Sequence, residues 1–133
     1  AEAECRLVND AGAREYLMDL MSKRDASYSC AQKSGTSMGK LTSDYTGSLL
    51  EEIIIQRRIE LWGEFGRIYD IRRLKQGFKR TAEMGWPTDA LLVNRNANDP
   101  ESYMWVLTIP QTEFDGNSSL DQTKDQNPVG DTK

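Results

Sequence analysis

From Ser48 to Gln76 apolar residues recur at helical spacing over a longer stretch than anywhere else in the chain, and this segment does most to limit the fold. The pattern predicts one helix over 48–76. Ser48 suits an N-cap because its hydroxyl can accept from a first-turn amide, Glu51 and Glu52 lie where the helix dipole favours negative charge, and Gly77 offers a stop. At about 100° per residue, Leu50, Ile53, Ile54, Leu61, Phe65, Ile68, Tyr69 and Ile71 share one face, and Ile55, Ile59 and Trp62 extend it past a half-turn. So wide an apolar arc needs neighbours on two sides. The expectation is a mainly α fold in which this helix is part of a larger helical body.

The flanking segments read differently. Residues 1–30 form a helix hairpin: residues 1–8 are helical without an N-cap, as in a chain that starts inside a helix, and Asn9-Asp10 makes the turn. Tyr16, Leu17, Leu20 and Met21 then recur at 3–4 spacing, and Lys23-Arg24 are cations that suit a helix C-terminus. Residues 31–47, rich in Ser, Thr, Gly and Lys, read as an exposed loop. Residues 77–133 read as irregular and extended, with Pro, Asn and Asp between Trp86 and Pro100 and a short apolar patch at 90–93. The aromatic and β-branched run 103–109 stops at Pro110, which predicts an extended strap with Trp105, Leu107 and Ile109 on one buried side and the acidic tail exposed.

Several function classes fall away. The 133 residues suffice for one small domain, and a net charge of -4 gives no electrostatic reason to expect nucleic acid as partner. With no histidine in the chain, Ser-His-Asp catalysis and His-containing metal sites are excluded, and no metal or cofactor is expected. The longest apolar runs fall far short of the roughly 20 residues that cross a bilayer. Cys5 lacks the small and aliphatic residues that precede a lipidated cysteine, so it is not a lipid anchor. In an antiparallel hairpin Cys30 would sit about 20 Å beyond the level of Cys5, whereas bridged Cα atoms lie within about 7 Å. A disulfide is not expected.

Within the long helix Arg57, Glu60, Glu64 and Arg67 follow at spacings of 3, 4 and 3, which would place them on one strip as a plus-minus-minus-plus ladder beside the apolar face. Charges so placed are costly to desolvate unless paired, and a structural network is the expectation. Glu60 and Glu64 also invite a glycoside hydrolase reading as acid and base. The flanking arginines would lower both pKa values, where hydrolysis needs one raised. No catalytic residue is assigned. Gly63 and Gly66 inside a helix each cost roughly 1 kcal/mol against Ala, which close approach by another helix or by the tail would offset, or contact between ligand and backbone. Trp62 and Trp105 sit in apolar runs and are expected in the core. Trp86, flanked by Gly85 and Pro87, is the candidate ligand-binding residue: an exposed ring on which a sugar could stack.

The string from Leu49 to Glu64, with Arg57-Arg58-Ile59-Glu60-Leu61 at its centre, resembles the E-R-R-x-E-L signature helix of the SusD/RagB family. Arg67-Ile68-Tyr69-Asp70-Ile71-Arg72-Arg73 is similar to that helix's R-[WF]-[FY]-D-L-x-R ending. Ile109-Pro110-Gln111-Thr112-Glu113 and Gln126-Asn127-Pro128 are similar to the family's closing P-I-P-x-x-E and Q-N-P segments, and the opening hairpin resembles its last tetratricopeptide-like repeat. Two departures stand out: Gln56 replaces the usual Glu, and Phe65 stands where the family has glycine, a role Gly66 could take. The resemblance implies the C-terminal portion of a larger SusD-like helical fold, belonging to a surface-exposed lipoprotein of the bacterial outer membrane with its lipid anchor outside this chain. Such a protein is no enzyme. It binds an oligosaccharide or other nutrient noncovalently and delivers it to a SusC-like TonB-dependent transporter. Family members bind sugar largely outside this part, so no ligand residue carries over. The rival reading from the residues alone is a helical-repeat scaffold for protein partners.

Overall fold

The computed structural model describes residues 1–64, 66–88, 99, 101 and 106–128. Among these residues it is helical and contains no strand element: α1 (Glu2–Arg6), α2 (Asp10–Met21), α3 (Leu49–Glu60), α4 (Arg67–Arg73), α5 (Gln111–Gly116) and α6 (Gln122–Asp125). The mainly α expectation holds. The chain divides into two compact units, Ala1–Arg67 and Ile68–Lys133.

In the first unit α1, α2 and α3 pack on one another. Ala13, Leu17 and Met21, four residues apart on α2, are buried, as are Leu49, Leu50, Ile53 and Ile54 on α3. The hairpin turn is built from its sequence. Asn9 caps α2, its side chain accepting from the Gly12 amide at 3.1 Å and donating to Glu4 Oε2 at 2.7 Å. A Cβ on Gly12 would lie 2.6 Å from Asn9 Nδ2, so glycine is what lets this cap close. Just upstream, α1 ends with Val8 at φ 63°, where the Val8 amide donates to the Cys5 carbonyl and the Asn9 amide to that of Glu4. That is a Schellman closure with a β-branched residue where glycine is usual. Cys5 and Cys30 are buried free thiols.

Residues 31–47 are irregular and tied down. Arg14 Nη1 donates to the Lys33 carbonyl at 2.9 Å, and the Gly35 amide donates to Asp10 Oδ2 at 3.0 Å. The Leu49 and Leu50 amides donate to the carbonyls of Ser34 and Gly35, so the loop satisfies first-turn donors of α3 that the helix itself cannot. Ser48 is the N-cap, its hydroxyl accepting from the Glu51 amide at 3.1 Å. The buried Glu51 carboxylate reaches back to accept from the Thr46 and Gly47 amides.

The single helix expected over 48–76 is two helices. α3 ends at Glu60 and α4 begins at Arg67, with Gly63 at φ 76° and Gly66 at φ 127° between them. Among the described residues nothing lies within 4 Å of where a Cβ would stand on either glycine, so neither serves a close approach there. Both instead supply left-handed backbone, and the helix breaks where their poor propensity outweighs its continuation. The continuous apolar arc is lost with it. Leu50, Ile53, Ile54 and Ile71 are buried, but Ile59, Ile68 and Tyr69 are exposed, and Trp62, expected in the core, is 86% exposed. Phe65 lies outside the described residues.

In the second unit α4 buries Asp70 and Ile71, and Arg73 Nε pairs with Asp70 Oδ1 at 2.8 Å. The helix stops at Lys75 and not at Gly77. Lys75 takes φ 50°, its amide donates to the Arg72 carbonyl and that of Gln76 to Ile71, a second Schellman closure without glycine. A 3-10 turn at Ala82–Met84 follows. The expected extended strap is also corrected, because α5 starts behind Pro110 and α6 behind Asp121, whose side chain accepts from the Thr123 amide at 2.9 Å. Leu107 is 84% exposed, and Trp105 and the 90–93 patch lie outside the described residues. What pins this segment is polar. Gln126 accepts from the Ile109 amide at 2.8 Å and donates to the Ile109 carbonyl at 3.0 Å, while Asn127 Nδ2 donates to the Leu107 carbonyl at 2.7 Å. The two closing motifs thus meet side chain to backbone.

Candidate functional site

The first unit carries a recess of about 280 Å³ between the α1–α2 hairpin and α3. Tyr16, Leu17, Leu20 and Ile53 form its apolar wall, and Gln56 and Arg57 lie on its polar side. Nearby, Glu52 gathers a compact polar cluster. Tyr28 Oη and Gln56 Nε2 each donate to its Oε1 at 2.8 Å, and Lys33 Nζ stands 3.1 Å from its Oε2. Burial pushes the Glu52 carboxyl up, but the hydrogen bonds from Gln56, Tyr28 and Lys33 outweigh it and hold the group below its ordinary value. Burial and the same carboxylate push the Tyr28 phenol well up, so Tyr28 stays a neutral donor. Lys33 also donates to Tyr45 Oη at 3.2 Å and keeps its charge more firmly for it. This cluster fastens the loop to α3; its donors and acceptors are spent on one another.

The second unit carries an aromatic stack. Arg80 lies with its guanidinium 5.2 Å from the Phe78 ring centre and 4.5 Å from that of Trp86. The local sequence dictates this. Phe78 and Arg80 alternate along non-helical chain, the 3-10 turn reverses direction, and Gly85 at φ 80° completes the reversal so that the Trp86 amide returns to the Thr81 carbonyl. Trp86 is 42% exposed, with Arg80 against one face of its ring.

Of the ladder expected on one strip, Glu60 reaches across to pair with Arg24. Glu64 follows the end of α3 and is exposed, while Arg67 opens α4, so the helical spacing that would align all four is interrupted after Glu60. The proposed acid pair loses that register too. Neither Arg57 nor Arg67 is without an interaction partner. Sequence reasoning missed Phe78 and Arg80, although their alternation beside the Gly85-Trp86-Pro87 turn was a usable signal. Among the described residues no group of three or more acidic, Cys or His side chains could hold a metal. Nor is any helix long and apolar enough to cross a membrane.

A helix hairpin packed on a capped third helix, with an apolar recess and a separate open aromatic ring, has the features of a helical binding module. The profile of the SusD family matches residues 1–128 of the 133, and the chain belongs to that family. Comparison with curated proteins and with solved structures gives no match. Members of the family are binding proteins of the bacterial outer-membrane surface, and membership implies glycan or nutrient binding in outer-membrane uptake.

Proposed function

We propose that the protein captures an oligosaccharide or related nutrient noncovalently at the bacterial cell surface and delivers it to a SusC-like TonB-dependent transporter, held at the membrane by a lipid anchor outside this chain. The family match over residues 1–128 carries this reading. The open Trp86 ring supports it, because the apolar C–H face of a pyranose can lie against an indole while its hydroxyls remain free for hydrogen bonds. Recognition of this kind calls on no cofactor and breaks no bond in the ligand. The four residues Arg57, Glu60, Glu64 and Arg67 act in the scaffold and not on the ligand.

A scaffold for protein partners is the second reading, favoured by the apolar recess on the first unit. Calorimetric titration of the full-length protein against an oligosaccharide panel, paired with affinity isolation from detergent-solubilised outer membranes, separates the two. Capture predicts saturable heat with at least one saccharide and co-isolation of a large β-barrel transporter. Silence across the panel, with a soluble protein co-isolated in place of the barrel, would favour the scaffold.

A further inference from the structure

We infer that the Phe78–Arg80–Trp86 stack is a subsite for an acidic oligosaccharide, in which the Trp86 ring carries the apolar face of one unit and the Arg80 guanidinium takes the carboxylate of a neighbouring one. The inference rests on the saccharide-capture reading and adds the class of ligand.

Arg80 is held by the two aromatic rings, and among the described residues it makes no hydrogen bond or ion pair. Other arginines spend their donors internally: Arg14 on the Lys33 carbonyl, Arg24 on Glu60 and Arg73 on Asp70. A guanidinium lying against rings offers its N–H donors in its own plane, away from the ring faces, in the fork that matches a carboxylate. The two rings fix its orientation in advance, so less freedom is lost when a ligand arrives. Trp86 is 42% exposed beside it, so an acidic chain can lay one unit on the ring face opposite Arg80 and bring a neighbouring unit's carboxylate to the guanidinium. The exposed Glu83 of the 3-10 turn does not pair with Arg80, and among the described residues no carboxylate competes for the fork. A neutral sugar would gain the stacking alone; a uronate would gain stacking and a charge-assisted pair.

The test is calorimetric titration of the full-length protein at low ionic strength with hexagalacturonate and with maltohexaose as the neutral six-unit probe. Each of Arg80→Gln, Arg80→Lys and Trp86→Ala is checked for an unchanged melting temperature. The wild type is expected to prefer the acidic probe by about tenfold or more, and the preference should shrink as NaCl is added. Arg80→Gln should abolish the preference, Arg80→Lys should retain part of it because a point charge lacks the fork, and Trp86→Ala should weaken acidic binding. Neutral binding equal to acidic, or a preference that survives Arg80→Gln, overturns the subsite and leaves saccharide capture standing. Binding of neither probe, nor of any saccharide in the wider panel, overturns the capture reading itself.

Discussion

The two units hold themselves together by different means. In the first, apolar side chains at helical spacing on α2 and α3 bury one another, and the polar groups mainly trim the ends: Asn9 and Ser48 cap, and Glu52 fastens the loop. In the second, outside α4, the described order depends on side chains that grip backbone. Gln126 clasps both polar groups of Ile109, and Asn127 holds Leu107. Burial is additive over a face and tolerates small shifts, whereas a clasp depends on two or three hydrogen bonds of fixed geometry.

The largest effect should come from the first unit. Leu50→Ala removes a side chain from its core and should cost about 2–5 kcal/mol in urea denaturation of the full-length protein, against about 0.5 kcal/mol or less for Leu107→Ala at its exposed site. Comparable losses from the two would erase the contrast. In the second unit Gln126→Ala leaves both backbone groups of Ile109 without their partner and should destabilise the segment by about 1–3 kcal/mol, seen as faster hydrogen exchange at the Ile109 amide. Exchange unchanged from wild type would mean the clasp does not hold the segment.

A third effect depends on pH. The folded-state pKa of Glu52 lies below its ordinary value of 4.5, so the stability it contributes is fully present above that value and is lost as pH falls through the lower folded pKa. Melting temperature followed from pH 6 downward should fall less steeply for Glu52→Gln than for wild type below about pH 4.5; parallel curves would assign the acid sensitivity elsewhere. The smallest effects concern the helix ends. Val8 and Lys75 both hold left-handed backbone where glycine is usual. Val8→Gly should stabilise by about 1 kcal/mol and Lys75→Gly by less, since Lys is not β-branched. A loss of stability at Val8 would mean its side chain makes contacts that matter more than the strain.

The same contrast explains how much was legible in the sequence. Leu17, Met21, Leu50, Ile53 and Ile54 announce themselves by spacing, as does the cap at Ser48, because helical packing repeats along the chain; Tyr16 shares that spacing and is exposed. The break after Glu60 was not read, although Gly63 and Gly66 signalled it. Apolar periodicity runs through them, and periodicity does not record whether a neighbour is present to hold a costly helix together. Gln126 and Asn127 were noticed only as matching residues, since a side chain gripping backbone 17 or 20 residues away leaves no local pattern. At the candidate site, Trp86 stood out through its Gly and Pro neighbours. Arg80 did not, because its role depends on a turn that brings it against a ring.

The proposed function is capture without chemistry. Its most direct measurement is equilibrium dialysis of the full-length protein against an oligosaccharide it binds, followed by mass spectrometry of the sugar recovered after prolonged incubation. Retention of the saccharide on the protein side with its mass unchanged is the predicted result. Shortened products accumulating with time, and lost when Glu60 or Glu64 is replaced by Gln, would contradict it and restore the hydrolase reading.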